Sequence, residues 1–253
     1  MPTPAARRHH DELFGDRTST LARTDPELVE YFDNFAFDDV QADAPLEVRT
    51  RVLVQLAALV ALGALGEFRE LAGGALRVGV TPVELKEVVY QAVPYVGMGR
   101  VRDVLQATNE LLVERGVDLP LPGRSSTTPQ DRAEKGRAVQ EQIVGPETVA
   151  ALYENAPDDT LHVQRYLSAN CFGDHYTRGG LDVPTRELLT LSMLVALGGA
   201  DPQVAGHFAA NVRVGNDRAT LIAVITQLLP YVGYPRTLNA LRALDTVAPA
   251  TQD

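Results

Sequence analysis

The sequence predicts an all-α protein built as two tandem copies of one helical module, packed together. Three observations carry this. The segment Gln91-Ala-Val-Pro-Tyr-Val-Gly97 returns as Gln227-Leu-Leu-Pro-Tyr-Val-Gly233, an offset of 136 residues. Apolar residues recur at three- and four-residue steps, the spacing of a helix face, and no segment alternates as a half-buried strand does. Glycine, proline and capping residues punctuate both halves at matching places.

The first helix of each copy follows from Val48, Val52, Leu53, Leu56, Leu59 and Val60, with Leu188, Leu191 and Val195 as counterparts. Each stops at a glycine, Gly63 or Gly198. A second helix begins near Gly66 in the first copy. In the second it begins after Asp201-Pro202, where Asp serves as N-cap and Pro suits the first turn. These helices end near Gly79 and Gly215. Thr81-Pro82-Val83-Glu84 then opens a third helix: threonine caps, proline takes the first position and glutamate closes a capping box. It runs to the Pro-Tyr-Val-Gly element, where proline removes a donor and glycine permits a bend before a last helix, Arg100 to Arg115 or Pro235 to Leu244.

A period this long marks a duplicated domain, since solenoid repeats run about 20 to 50 residues. The expected division is an N-terminal extension over 1–25, a first copy over 26–118, a linker region over 119–143, a second copy over 144–246 and a tail over 247–253. The linker assignment rests on the Pro-, Ser- and Thr-rich stretch Leu119 to Gln130, which lacks a helical period.

The chain has 253 residues, 45% of them hydrophobic and 22% charged, so fibrous and disordered classes are excluded, and no apolar run is long enough to span a bilayer. Acidic residues outnumber basic ones 33 to 23, a net charge of −10, which argues against nucleic acid or an anionic membrane as partner. The single cysteine, Cys171, can make no intrachain disulfide, and Met1 to Phe14 holds no apolar signal core, so a cytoplasmic protein is expected. His9-His10 lies in a start read as mobile. His162, His175 and His207 show no metal-ligand spacing, and the glycines match no phosphate-cradling loop, so neither metal nor cofactor is expected.

The candidate chemistry lies in an asymmetry between the copies. Arg178, Glu187 and His207 stand opposite Asp43, Val52 and Leu71, so ionisable groups occupy one copy of a shared framework. A histidine bordered by Val204 and Phe208 needs a polar partner or a neutral state. Glu187 and His207 lie on consecutive helices, at heights differing by about 8 Å at about 1.5 Å rise per residue, so a direct hydrogen bond is not required, though both can flank one small ligand. Each also has a plainer reading: His207 as a satisfied structural residue, and Glu187 as a helix-dipole partner.

Upstream, Cys171-Phe-Gly-Asp-His175-Tyr176-Thr-Arg178 gathers acid–base groups with an anion binder, and Arg178 could fork onto a substrate carboxylate. Cys171 is more readily a small buried hydrophobe than a catalytic thiol. Tyr95 and Tyr231 recur in both copies, which favours structure over chemistry, although Tyr231 is also retained among candidate substrate contacts.

Taken together, Leu181-Asp-Val-Pro-Thr185-Arg186-Glu187-Leu-Leu-Thr-Leu, then Leu-Gly-Gly, His207-Phe-Ala-Ala and Gln227-Leu-Leu-Pro-Tyr-Val-Gly-Tyr-Pro235 resemble the carboxymuconolactone decarboxylase family, which includes the AhpD-type alkylhydroperoxidases. The resemblance implies a helical domain that oligomerises, here as a homotrimer of two-domain chains. It also implies a cofactor-free reaction on a carboxylated lactone. The family's glutamate and histidine fall on Glu187 and His207, and its leading glycine, aromatic and arginine on Gly173, Tyr176 and Arg178. The peroxidase branch's CxxC pair has no counterpart in Gly199-Ala-Asp-Pro-Gln203, which disfavours dithiol chemistry.

The resulting expectation is a lyase acting by proton transfer on a small anionic lactone or β-keto acid. Arg178 would hold a carboxylate or enolate, His207 would shuttle the proton and Glu187 would orient it. The first copy would contribute at most wall residues such as Tyr90, Gln91 and Met98. Isomerisation, cyclisation or dehydration on the same pocket is the alternative, as is a non-catalytic ligand-binding or assembly role.

Overall fold

The structure is a computed structural model, and residues 1–250 are described. The first half comprises α1 (Pro4–Phe14), α2 (Pro26–Asn34), a π-helical turn (Phe35–Asp39), α3 (Val40–Asp43), α4 (Val48–Leu62), α5 (Leu65–Arg77), α6 (Pro82–Val96) and α7 (Met98–Glu114). The second comprises α8 (Arg132–Val144), α9 (Pro146–Glu154), α10 (Leu161–Tyr166), a π-helical segment (Leu167–Tyr176), α11 (Val183–Leu197), α12 (Asp201–Arg213), α13 (Arg218–Val232) and α14 (Tyr234–Val247). No strand occurs among the described residues. No helix among them is long and apolar enough to cross a membrane.

The helix boundaries follow from local chemistry. Thr81 and Glu84 form the reciprocal capping box. Glu47, Asp182 and Asp217 each accept backbone N–H groups in the first turns of α4, α11 and α13. Gly63 closes α4 at φ 70° and Gly97 closes α6 at φ 78°, conformations that a Cβ disfavours. Pro94 and Pro230 sit inside the last turn of α6 and α13, where each helix is about to end. Asp201, expected to cap α12, is instead its first helical residue and makes no capping bond. Its carboxylate complements the dipole there.

The helices α4 and α11 form the centre. Every residue from Arg51 to Ala61, and every residue from Arg186 to Ala196, is buried. A helix apolar on nearly all sides must be covered on all sides, and these two cover each other. The remaining cover is exchanged: α6 of the first half packs on α11 and α13 of the second packs on α4. The two copies therefore share one core rather than forming two beads on a string.

Two expectations about the periphery are corrected. Only part of the 119–143 linker is irregular, because α8 begins at Arg132 and packs along the π-helical segment. Its buried stripe is narrow, Gly136, Gln140 and Ile143, so its mostly polar sequence hides the helix. The approach is close enough that a Cβ on Gly136 would collide with the Ser168 carbonyl and the Gly173 backbone, and one on Gly173 with the Arg132 carbonyl. The N-terminal segment, read as mobile, is the docked helix α1. Ala6 and Leu13 are buried in the core, and His9 Nδ1 lies 2.6 Å from the Phe37 carbonyl. Of the tail, 251–253 lie outside the described residues.

Candidate active site

Three helices present polar residues at four-residue intervals, which stack on one face. On α6 these are Glu87, Gln91 and Tyr95; on α11, Arg186 and Thr190; on α12, His207 and Asn211. The α6 and α11 rows face each other as rungs. Arg186 Nη2 donates to Glu87 Oε2 at 2.9 Å, and its Nη1 donates to Gln91 Oε1 at 3.0 Å. Gln91 Nε2 donates to Thr190 Oγ1 at 3.2 Å. Arg186, Gln91 and Thr190 are completely excluded from solvent, and a charge in that position persists only when paired and hydrogen-bonded.

Glu187, one residue on, points toward α12. Its Oε2 lies 2.8 Å from His207 Nδ1, and its Oε1 accepts the Tyr176 hydroxyl at 2.5 Å. The reach of a glutamate and an imidazole closes the height difference anticipated from sequence. Asn211 donates to the backbone carbonyls of Glu187 and His207, at 3.2 and 2.7 Å, which ties α12 to α11 beside the pair. The Tyr95 ring meets the His207 ring edge-on with centroids 5.6 Å apart, and the Tyr95 hydroxyl donates to Tyr176 at 3.0 Å.

These bonds orient the imidazole. Burial raises the Tyr176 hydroxyl well above its ordinary pKa, and the Glu187 carboxylate raises it further, so it keeps its hydrogen and donates. An ionised carboxylate can only accept, so Glu187 takes the Tyr176 hydrogen on Oε1 and the His207 Nδ1–H on Oε2. That leaves Nε2 as the lone-pair nitrogen of neutral His207. No protein partner bonds Nε2 among the described residues, and the ring is partly exposed, 16% of the side chain. A carboxylate holding Nδ1 while Nε2 faces outward is the arrangement of a general base that returns its proton as an acid.

The other anticipated residues fall in different places. Cys171 is beside the cluster, its Sγ 3.6 Å from the Tyr95 hydroxyl, but burial pushes its thiol up to about 12, which suits a buried hydrophobe rather than a nucleophile. Arg178 does form a fork, but onto Glu87: Nε lies 3.0 and 3.1 Å from the two carboxylate oxygens, and Nη2 donates to Oε1 at 2.8 Å. The valence expected for a substrate carboxylate is engaged within the protein, and the guanidinium also covers the Tyr90 ring. His175 is turned into the interior, its Nδ1 buried without a partner, and burial lowers its pKa. Tyr231 is not brought to the cluster. It packs against Phe32 in the first copy's corresponding place.

That place explains the asymmetry. The counterparts of Glu87, Gln91, Arg186 and Thr190 are Ala223, Gln227, Arg51 and Gln55. There Gln41, at the position of Tyr176, bonds Gln227 at 2.9 Å, and Gln227 in turn bonds the Ala44 carbonyl at 2.7 Å. Val52 and Leu71 replace the acid and the imidazole. The first copy therefore keeps a lattice of amides without a proton-handling pair, yet its α6 supplies Glu87, Gln91 and Tyr95 to the second copy's cluster. Glu187, His207 and Tyr176, singled out from the sequence, are brought into one hydrogen-bonded chain. The sequence reading undervalued Tyr95 because of its repeat, and it missed Glu87, whose spacing from Gln91 and Tyr95 was the available signal.

The carboxymuconolactone decarboxylase family model matches residues 26–110 and again 162–246. The chain is similar to the 4-carboxymuconolactone decarboxylase of Acinetobacter baylyi, 28% identical over 118 residues that cover 47% of this chain and 87% of that protein. A crystal structure of a provisionally assigned gamma-carboxymuconolactone decarboxylase subunit from Burkholderia xenovorans LB400 shares the fold, with a TM-score of 0.53, 22% identity, and coverage of 97% of this chain and 98% of the other. Two family matches in tandem, spanning most of the chain and carrying one complete acid–imidazole cluster between them, lead to one statement: the chain belongs to the carboxymuconolactone decarboxylase family.

Proposed function

We propose that the chain is a decarboxylase-type enzyme, acting on a small carboxylated lactone or β-keto acid by proton transfer through His207. The carrying observation is the Tyr176–Glu187–His207 chain, which ends in an unbonded Nε2 at the surface. When the substrate's carbon–carboxylate bond breaks, its electron pair passes to the adjacent carbon as an enolate and carbon dioxide leaves. His207, protonated on Nε2 from solvent, delivers that proton to the carbon and returns to its neutral form. Glu187 stabilises the imidazolium in between, and Tyr176 fixes Glu187. Arg186 and Gln91 are positioning residues that hold Thr190 and the Tyr176 hydroxyl in register.

Among the described residues the one hydrogen bond of the His207 ring is to a carboxylate, which leaves its second nitrogen open to a substrate. The relative's substrate class supplies the first compound to try. The test is carbon dioxide release from 4-carboxymuconolactone and from simple β-keto acids in D2O, comparing wild type with His207→Ala. Turnover by the wild type with deuterium at the former carboxyl-bearing carbon, reduced on the order of 10² or more in the variant, is expected. Deuterium exchange without carbon dioxide points instead to isomerisation on the same pair. Equal turnover by a folded variant refutes the assignment.

A further inference from the structure

A second feature stands apart from His207. An open cleft of about 320 Å³ lies between α6, α7 and the irregular strand of chain after Leu119, and neither Glu187 nor His207 is among its walls. Leu119, Leu121 and Pro122 form one side, and the Tyr90 ring forms another. Lys86, Arg124 and Arg178 surround it, against one carboxylate, Glu87.

That carboxylate is already shared by two guanidiniums, Arg178 and Arg186. Lys86 donates to the neutral Asn109 side chain and has no carboxylate within ion-pair distance among the described residues; neither has Arg124. Two cations without a carboxylate partner thus converge on one apolar-walled cleft. Burial of Lys86 lowers its pKa, a cost that an anion in the cleft would relieve.

We propose that this cleft is a binding site for a small monoanionic carboxylate with a flat apolar body. Lys86 and Arg124 take the carboxylate, Leu119–Pro122 and the edge of the Tyr90 ring take the flat body, and Glu87 holds the Arg178 guanidinium over the Tyr90 ring as part of the wall. The cleft shares Glu87 with the α6–α11 rungs but reaches neither Glu187 nor His207, so either reading can fail without the other.

Benzoate is the probe and benzamide its uncharged isostere, titrated calorimetrically into wild type, the double variant Lys86→Met/Arg124→Met, and His207→Ala. Benzoate is expected to bind wild type with Kd on the order of 1 mM or tighter. Benzamide should bind at least about tenfold more weakly, and raised salt should weaken benzoate because Arg124 is exposed. The double variant should lose benzoate binding by about tenfold or more, and His207→Ala should retain it. Benzoate should also shift the Tyr90 ring resonances of the wild-type protein, a readout that does not depend on the double variant folding. No saturable benzoate binding, an unmoved Tyr90, binding that survives the double substitution, or binding abolished by His207→Ala would each overturn the proposal.

Discussion

Glu187→Gln isolates orientation from shape. The two groups facing this carboxylate differ: Tyr176 donates to Oε1 at 2.5 Å, while Nδ1 of His207 lies 2.8 Å from Oε2. Tyr95 directs its own hydrogen at the Tyr176 hydroxyl, and the 2.5 Å contact to Oε1 is shorter than the 2.9 Å contact to Thr190 Oγ1, so Tyr176 is expected to keep donating to residue 187. The new amide therefore places its carbonyl toward Tyr176 and its NH2 toward His207. An NH2 can only donate to Nδ1, which forces the imidazole hydrogen onto Nε2 and removes the outward lone pair. Every polar atom stays bonded, so the fold should lose only the charge-assisted part of the bonds, about 1 kcal/mol.

Catalysis should lose far more. One misassigned proton-transfer group costs on the order of 10² to 10⁴ in rate, or about 2.7 to 5.5 kcal/mol of transition-state stabilisation. Turnover of the decarboxylation substrate measures the loss, and long-range nitrogen–proton spectra of the His207 ring report which nitrogen bears hydrogen. A variant within tenfold of wild type, with hydrogen still on Nδ1, would show that Glu187 does not set the tautomer.

Two further outcomes follow from the packing. Gly136→Ala should cost about 3 kcal/mol of stability or more in urea unfolding, seen as a lower midpoint, because the added Cβ meets backbone of the π-helical segment, which cannot turn aside as a side chain can; a loss under about 1 kcal/mol would mean that α8 sits farther off. Alkylation of Cys171 by iodoacetamide should be slow at pH 8 and keep rising through pH 10 without levelling, since a thiol pushed up to about 12 supplies thiolate only in proportion to rising pH. A plateau near that of an ordinary thiol, about pH 8.5 to 9, would contradict the burial of this sulfur.

The duplication also gives the cluster its composite character. A lone copy would present Arg186, Glu187 and Thr190 on α11 but lack the facing row of α6, and the buried Arg186 guanidinium would have no Glu87 to neutralise it. Packing α6 of one copy against α11 of the other satisfies that charge within a single chain. In the mirrored place, where α13 packs on α4, the same need is met from elsewhere in the first half, by Gln41 of α3 and the more exposed Glu12 of α1 around Arg51. Without an acid at the position of Glu87 or an imidazole at that of His207, it remains structural.

Sequence alone determined the class, the duplication, the main helices and their stops, because these rest on local quantities: apolar spacing, a capping box at Thr81, glycines where φ turns positive. It also singled out Glu187 and His207, since a residue type present in only one of two copies is visible without coordinates. It could not see that α8 is a docked helix, its buried stripe being too narrow to raise a periodic signal, and it passed over α1, whose two buried residues, Ala6 and Leu13, stand among charged ones although Thr3 and Pro4 mark its start. Nor could it tell Tyr95 from Tyr231. Identical in the repeat, one meets His207 and the other Phe32, and only the exchange of α6 and α13 between copies decides which. The same exchange brings Arg178 to Glu87, because a carboxylate buried between two helices attracts the nearest guanidinium whatever the chain order says.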